Sequence, residues 1–179
     1  TNGKTSTTYL MKSILDRVGG KVGIVGTIEN RIGDKVLKAE RTTPESKELQ
    51  ALFRQMKAED VTDVVMEVSS HSLDLHRVDG IAFDVAIFTN LTQDHLDYHI
   101  TMENYKAAKG MLFERAAKSV INMDDAAGAY MKEKSVGEVL TIGVDTQADL
   151  MAENIDITAE GTAFDMVWKG QKYAVKLAT

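Results

Sequence analysis

The chain has 179 residues, which is enough for one ordinary domain with its own core, and we do not expect a second independent core. Its formal charge of −6, with 44% hydrophobic and 27% charged residues, is typical of a soluble globular protein and disfavours non-specific nucleic-acid binding. Cysteine is absent, which excludes disulfides and a thiol nucleophile, and no membrane span or signal peptide is visible, so we expect a cytoplasmic protein.

Alternating helical and strand periods predict an α/β fold with a mostly parallel sheet flanked by helices. A first helix is expected to end at Gly19-Gly20, followed by a strand over 21–25 and a second helix after Pro44. Nearly continuous apolar runs at 64–68 and 85–88 predict strands covered on both faces. The expected apolar face of the first helix comprises Leu10, Met11, Ile14, Leu15 and Val18, and that of the second comprises Leu49, Leu52, Phe53 and Met56.

The second half of the chain continues this alternation before its character changes. We expect a helix over 101–113 with Thr101 as N-cap, a strand at 120–121, a helix starting at Asp124-Asp125 and a strand over 139–142. Three later segments, at 152–157, 163–168 and 172–177 with turns at Gly161 and Gly170, predict an antiparallel meander. The expected fold is therefore a parallel sheet with a small antiparallel β extension.

The chain opens on the second half of a phosphate-binding loop of the form GxxxxGK[ST], which contributes Asn2, Gly3, Lys4 and Thr5. Gly3 lets the backbone approach phosphates, Lys4 neutralises phosphate oxygens, and the Thr5 hydroxyl can ligate Mg²⁺. The first glycine and its strand would precede residue 1 and there is no initiator Met, so we expect a piece of a longer protein. On spacing alone, a solvated lysine beside a helix cap is an equally good interpretation.

Three further groups are candidates for chemistry. Glu67 follows a predicted strand, at the edge where α/β sheets bind ligands, although it can instead be read as a capping acid. His95 lies in a loop dense in Asp and His that suits Mg²⁺, or that merely satisfies its own backbone. Lys109 has small and apolar neighbours that favour an inward amine, although most helical lysines lie on the surface.

These segments together resemble the Mur ligase family, and among its members the MurE type. The resemblance covers residues 1 to about 113. The matching segments are TNGKT (1–5), TTP (42–44), MEVSSH (66–71), HRV (76–78), FTNLTQDHLDYH (88–99) and AAK (107–109). Two positions depart from the family pattern, Ile100 in place of a common Gly and Leu75 in place of a polar Gln, and they affect fine substrate contacts rather than the reaction class.

The resemblance implies an ATP-dependent amide-bond ligase of peptidoglycan precursor synthesis. Such a ligase phosphorylates the D-Glu carboxylate of UDP-N-acetylmuramoyl-L-alanyl-D-glutamate (UDP-MurNAc-L-Ala-D-Glu), and a diamino acid, L-Lys or meso-diaminopimelate, then attacks the acyl phosphate. ATP and Mg²⁺ are the implied cofactors. By position, Asn2, Gly3, Lys4 and Thr5 match ATP-binding residues; Thr5, Glu67, His95 and Lys109, the last as carbamyl-lysine, match metal ligands; Lys4, His95 and Lys109 match catalytic residues; and Thr42, Thr43, Ser69 and Arg77 match muramoyl-substrate contacts.

The resemblance also implies that residues 1–179 form the central ATP-binding domain, without the UDP-binding and C-terminal domains of the whole ligase. The fragment alone is then not competent for the full reaction. Alternatives are a sister ligase of the folylpolyglutamate synthetase or cyanophycin synthetase type and a non-catalytic nucleotide-binding module. No nucleic acid, membrane or oligomeric partner is predicted.

Overall fold

The computed structural model describes residues 2–177, so Thr1 of the phosphate-loop motif lies outside the described residues. The chain divides into two compact units. Unit 1 contains Thr1–Ile81 and Gln93–Leu112, and unit 2 contains Ala82–Thr92 and Phe113–Thr179. No helix among the described residues is long and apolar enough to cross a membrane.

Unit 1 combines four strands with five helices. Its sheet has the order β3-β2-β1-β4, in which β1 pairs in parallel with β4 while β1, β2 and β3 are antiparallel neighbours. The elements are α1 (Lys4–Arg17), β1 (Val22–Val25), β2 (Glu29–Ile32), β3 (Lys35–Lys38), α2 (Ser46–Ala58), β4 (Asp63–Met66), α3 (Ser70–Asp74), α4 (Leu96–His99) and α5 (Met102–Gly110).

The core of unit 1 lies where α2 covers β1. All four residues of β1 are buried, and the predicted stripe on α2 is confirmed at Leu49, Leu52 and Met56. Gly23 in β1 makes this approach close, since a Cβ there would lie 2.8 Å from the sulfur of Met56. The packing therefore fixes β1, and with it the segment that follows β1, against a rigid support.

The predicted apolar face of α1 is wrong. Leu10, Ile14 and Val18 are 55%, 58% and 76% exposed, and Thr8 is the residue that α1 buries. Helical spacing locates a stripe on a helix but does not show which stripe faces the protein. The prediction that both apolar strands are covered on both faces also fails, because Val64 is 42% exposed in the edge strand β4.

The hairpin of β2 and β3 was not predicted from the sequence. Three of the four residues of β2 are polar, and the alternate burial of Asn30 and Ile32 makes the strand pattern visible only in the folded chain. Gly33 in the connecting turn has a φ of 58°, a left-handed conformation that glycine adopts without a Cβ penalty.

Unit 2 is built on one six-stranded sheet in the order β10-β9-β8-β7-β6-β5. The pairs from β5 to β8 are parallel, whereas β8, β9 and β10 are antiparallel, which confirms the predicted sheet and its extension. The elements are β5 (Phe83–Phe88), a short 3-10 helix (Phe113–Arg115), β6 (Ala116–Asn122), α6 (Gly128–Lys134), β7 (Glu138–Gly143), β8 (Leu150–Thr158), β9 (Gly161–Trp168) and β10 (Gln171–Leu177).

Two details of unit 2 correct the sequence expectations. α6 begins at Gly128 rather than at Asp124-Asp125, because both carboxylates are used in loops. Asp124 accepts the N–H groups of residues 144–146, and Asp125 accepts those of Leu91 and Ala127. Val85, expected to be covered on both faces, is 49% exposed in the edge strand β5.

Candidate functional site

The site in unit 1 starts at the beginning of α1. Gly3 is the N-cap residue, with a φ of 80°, and its carbonyl accepts the N–H of Thr7 at 2.9 Å. Asn2 is exposed, and the half-buried Lys4 and Thr5 form the first turn of the 14-residue helix. The N-terminal turn of a helix carries partial positive charge and directs N–H groups outward, which suits a phosphate.

The carboxylate of Glu67 lies against this first turn. The Thr5 hydroxyl donates to Glu67 at 3.0 Å to Oε1 and 3.1 Å to Oε2. Thr27 holds both oxygens, because its N–H donates to Oε1 at 3.0 Å and its hydroxyl donates to Oε2 at 3.0 Å. Glu67 is 3% exposed, so these donors replace the water that a buried carboxylate would otherwise lack.

The parallel pairing of β1 with β4 brings these residues together. Val25 is in register with Met66, and the N–H of Glu67 donates to the Val25 carbonyl at 2.8 Å. The two strands thus end side by side and their next residues face each other. Gly26 leaves room for the carboxylate, since a Cβ there would lie 2.8 Å from Oε1 of Glu67.

The capping interpretation of Glu67 is wrong. Ser69 is the N-cap residue of α3, and its hydroxyl accepts the N–H of Ser72 at 3.1 Å. The carboxylate of Glu67 instead bonds Thr5 and Thr27, which lie 62 and 40 residues away in sequence. Thr27 is a residue of this site that was not predicted from the sequence, and its signal is its place directly after β1 and Gly26.

Thr42 and Thr43 extend the site from Glu67 in two directions. The Thr42 hydroxyl lies 3.0 Å from the Thr27 hydroxyl, on the exposed side of the site. The Thr43 hydroxyl donates to the Glu67 carbonyl at 2.8 Å and accepts the N–H of Ser69 at 3.1 Å. Because Thr43 is 1% exposed and its hydroxyl is engaged on both sides, the structure gives it a positioning contact.

Arg77 borders this group of residues. Its Nη1 donates to the Thr43 carbonyl at 3.3 Å, and its Nη2 lies 3.0 Å from Oε1 of Glu45. Glu45 also pairs with Arg41 at 2.7 Å. The Nε of Arg77 is buried and has no hydrogen-bond partner within residues 2–177. The four predicted substrate contacts therefore lie close to Glu67 and Thr43. They are Thr42, Thr43, Ser69 and Arg77.

A second cluster consists of aromatic rings on α3, α4 and α5. His99 stacks on Tyr105 with ring centroids 5.0 Å apart, and His71 lies 5.4 Å from His99. The buried His99 shares a hydrogen bond of 2.8 Å with the Ser70 hydroxyl. Burial, followed by the charge of neighbouring histidines, lowers the pKa of both His71 and His99. The neutral form of both rings is therefore favoured.

His95 and Lys109 each lie beside Tyr105 in this cluster. His95 is the N-cap residue of α4 with a left-handed φ of 52°, and its ring centroid lies 5.9 Å from that of Tyr105. The Nζ of Lys109 lies 5.0 Å from the Tyr105 ring centroid. Lys109 is half-buried, because its chain covers a ring that is itself 1% exposed.

The contacts described above involve the candidate metal ligands at two places. Thr5 contacts Glu67, whereas His95 and Lys109 both contact Tyr105. Across residues 2–177, no three of the His, Asp and Glu side chains have an arrangement that holds a metal ion. A single set of ligands formed by Glu67, His95 and a carbamylated Lys109 stays a prediction.

The family model for the Mur ligase middle domain matches residues 1–179. The chain belongs to this family. A solved structure of a UDP-N-acetylmuramoyl-L-alanyl-D-glutamate--2,6-diaminopimelate ligase superposes on 98% of the chain with a TM-score of 0.90 and 28% identity. The MurF ligase of Thermotoga maritima, in complex with ADP, superposes with a TM-score of 0.71 at 17% identity, which shows a shared fold alone.

Curated ligases with the same printed name match the chain at higher sequence identity than this solved structure. Over 177 residues the chain is 52% identical to the UDP-N-acetylmuramoyl-L-alanyl-D-glutamate--2,6-diaminopimelate ligase of Clostridium botulinum. It is 52% identical over 178 residues to the ligase of that name from Caldanaerobacter subterraneus. The match takes in 99% of this chain and 37% of each relative, so the chain spans little more than a third of their length.

Proposed function

We propose that this chain is the central part of an ATP-dependent ligase that joins a diamino acid to UDP-MurNAc-L-Ala-D-Glu. Its membership of the Mur ligase family and the names of relatives that are 52% identical support this reaction. They do not favour the folylpolyglutamate and cyanophycin alternatives. The contact of Thr5 with Glu67 carries the proposal, because it places a buried carboxylate beside the first turn of a phosphate-binding helix.

The first turn of α1 is the proposed ATP site. Asn2 and Gly3 would contribute backbone N–H groups to the phosphates, and Lys4 would neutralise their negative charge. Phosphoryl transfer depends mostly on positioning and charge neutralisation, so cations near the transferred group have the largest effect on its rate. A central domain made of residues 1–179 would supply these groups to the longer ligase.

Mg²⁺ fits the oxygen atoms of Thr5 and Glu67. Both residues offer oxygen ligands of the kind that Mg²⁺ prefers. The Thr5 hydroxyl, which donates its proton to the carboxylate, keeps its lone pairs for a cation. Bound there, Mg²⁺ would neutralise charge on the nucleotide phosphates. Thr27 holds the carboxylate in place throughout, and His95 and a carbamylated Lys109 are the further ligands that we propose.

The substrate side of the site is proposed from the segment around Glu67. The Arg77 guanidinium would bind an anionic group of the muramoyl peptide, because a planar fork of donors suits a carboxylate. Thr42, Thr43 and Ser69 would fix the peptide next to it, with the buried Thr43 acting through its contacts to the Glu67 carbonyl and the Ser69 N–H. The buried Nε of Arg77, without a partner among the described residues, supports this role.

We propose 2,6-diaminopimelate, rather than L-Lys, as the diamino acid. The sequence alone left the two open, and the relatives at 47–52% identity are named as 2,6-diaminopimelate ligases. We also propose that the ligase works in the cytoplasm. The chain by itself would hold part of the nucleotide and substrate surface without completing the reaction.

The test is phosphate release by the full-length protein with ATP, Mg²⁺ and UDP-MurNAc-L-Ala-D-Glu. We expect release that depends on 2,6-diaminopimelate and that L-Lys does not support. Thr5→Val should abolish it, whereas Thr5→Ser keeps the hydroxyl and should retain it. Release that is independent of the muramoyl substrate, or unchanged in Thr5→Val, would contradict the proposal.

A second variant tests Lys109. Lys109→Ala removes the amine that CO₂ would carbamylate, so we expect activity to be lost. A short-chain carboxylic acid should restore part of it by supplying the missing anion. An unchanged rate in Lys109→Ala would exclude a metal-binding or catalytic role for this lysine.

A further inference from the structure

We propose that Thr27 is a positioning residue that fixes the Glu67 carboxylate and, with its own hydroxyl, the direction of the hydrogen bond between Thr42 and the substrate. This inference rests on the proposed function and names a contact within the same site. It follows from counting the protons of three hydroxyl groups. The chain of contacts runs from Thr5 and Thr27 at Glu67 to Thr42 at the exposed side.

Glu67 sets the direction at the inner end of this chain. A carboxylate has only lone pairs to offer, so every group that hydrogen-bonds it must donate. The Thr27 N–H donates to Oε1 at 3.0 Å, and the Thr27 hydroxyl donates to Oε2 at 3.0 Å. Thr27 therefore places its single hydroxyl proton on Glu67.

The hydrogen bond between Thr27 and Thr42 must then use the proton of the Thr42 hydroxyl. Their hydroxyl oxygens lie 3.0 Å apart, a hydrogen-bond distance for which either atom could donate. Because the Thr27 proton is already used, Thr42 donates and Thr27 accepts. Thr42 is left with a lone pair and no proton, so it can only accept from a substrate.

Because Thr42 can only accept a hydrogen bond, it can bind only a part of the substrate that donates one. A group with an N–H or O–H fits, whereas a carboxylate or phosphate oxygen would face a lone pair and be repelled. In a peptidyl substrate, the N–H donors are its amide groups. Arg77 has only hydrogen-bond donors, so it would bind the anionic group of the substrate. Thr42 would bind a hydrogen-bond donor of the substrate.

Neighbouring residues leave Thr27 little freedom to adopt another arrangement. It follows Gly26, whose missing side chain is what lets Glu67 approach. Its backbone N–H and its hydroxyl hold the two oxygens of one carboxylate, which fixes the carboxylate plane. Loss of the hydroxyl would keep the N–H contact and would remove both the support at Oε2 and the contact to Thr42.

The test measures substrate binding by calorimetry, with no ATP present, to the full-length protein. The ligands are UDP-MurNAc-L-Ala-D-Glu and two analogues, in which the N–H of the lactoyl–L-Ala or of the L-Ala–D-Glu amide is replaced by an ester oxygen. We expect one analogue to bind wild type about tenfold more weakly, because the Thr42 acceptor loses the N–H that donates to it. Thr42→Val should bind that analogue and the parent equally.

The matched pair at position 27 isolates the positioning role. Thr27→Ser keeps the hydroxyl and should discriminate as wild type does. Thr27→Val has nearly the same shape without the hydroxyl; it should lose most of the discrimination and should raise the Mg²⁺ concentration that half-saturates activity. Thermal unfolding of each variant controls for a general loss of structure.

The outcomes separate the two proposals. Wild type that binds the parent and both analogues equally, or Thr27→Val that discriminates as wild type does, would overturn the inference and leave the ligase proposal standing. Wild type that binds no muramoyl ligand and shows no diaminopimelate-dependent phosphate release would overturn the proposed function, and the inference with it.

Discussion

Replacing Gly26 with Ala tests the Glu67 site by adding a single methyl group. The new Cβ would lie 2.8 Å from Oε1 of Glu67, while its other neighbours, the Glu29 carbonyl and Ile24 Cγ2, lie at an ordinary 3.6 Å. Relief of the close contact to a normal 3.4 Å requires the carboxylate to move by about 0.6 Å. Gly26 does not have a positive φ, so the backbone itself accommodates alanine.

A shift of that size weakens the contacts of Glu67. The hydrogen bonds from Thr27, now 3.0 Å long, would stretch toward about 3.6 Å, beyond hydrogen-bond range. Loss of one hydrogen bond to a buried charge costs about 1.5–3 kcal/mol. A displacement of about 1 Å at a reacting centre costs about a hundredfold in rate, so we expect at least about a tenfold loss of kcat/KM for the proposed ligase reaction of the full-length protein.

Urea denaturation of the chain and a double-mutant cycle provide the assay. Gly26→Ala should lower the free energy of unfolding by about 2 kcal/mol in the native background. In a Glu67→Ala background the methyl group meets no carboxylate, so the same substitution should have almost no effect. An equal loss in both backgrounds would refute the reasoning, because the strain would then lie elsewhere.

Three further predictions concern the framework of the two units. Thr101→Ala removes the hydroxyl that accepts the Asn104 N–H at 3.1 Å at the start of α5, and should destabilise the chain by about 1 kcal/mol in urea; no change would contradict the capping role. Gly33→Ala forces alanine to a φ of 58° and should lower the free energy of unfolding by about 1 kcal/mol. A urea midpoint equal to that of wild type would contradict this prediction. The hydroxyl and N–H of Thr141 donate to Asp149 and hold its pKa below the usual value. The stability that Asp149 contributes is present above its unfolded pKa of about 3.9 and is lost as pH falls through the lowered folded value, so Asp149→Asn should flatten the acid limb of the stability curve, and an unaltered limb would refute this.

The sequence was most informative where one segment carries the whole signal. Gly3, Lys4 and Thr5 form a local motif at a helix start, and α1 begins there at Lys4. The N-cap role of Thr101 and the meander of β8, β9 and β10 likewise depend on neighbours in sequence, and both are confirmed. Periodicity and capping patterns therefore located elements whose signal lies within one segment of the chain.

The sequence could not show contacts that depend on long-range pairing. Thr27 is an ordinary loop threonine until the register of Val25 with Met66 places it against Glu67. The stacking of His99 on Tyr105 requires the short helix α4, which the sequence analysis read as a loop. The exposed face of α1 was misassigned for a related reason, because burial depends on what the helix packs against.

We propose that a nucleotide-bound divalent metal lies between the first turn of α1 and Glu67. The most direct test is a crystal structure of the full-length protein with Mn²⁺ and a non-hydrolysable ATP analogue, in which Mn²⁺ is located by its anomalous scattering. We expect Mn²⁺ at coordination distance, about 2.0–2.3 Å, from the Thr5 hydroxyl and a Glu67 oxygen, with phosphates at the N–H groups of residues 3–5. A metal and nucleotide bound away from both side chains would contradict the account.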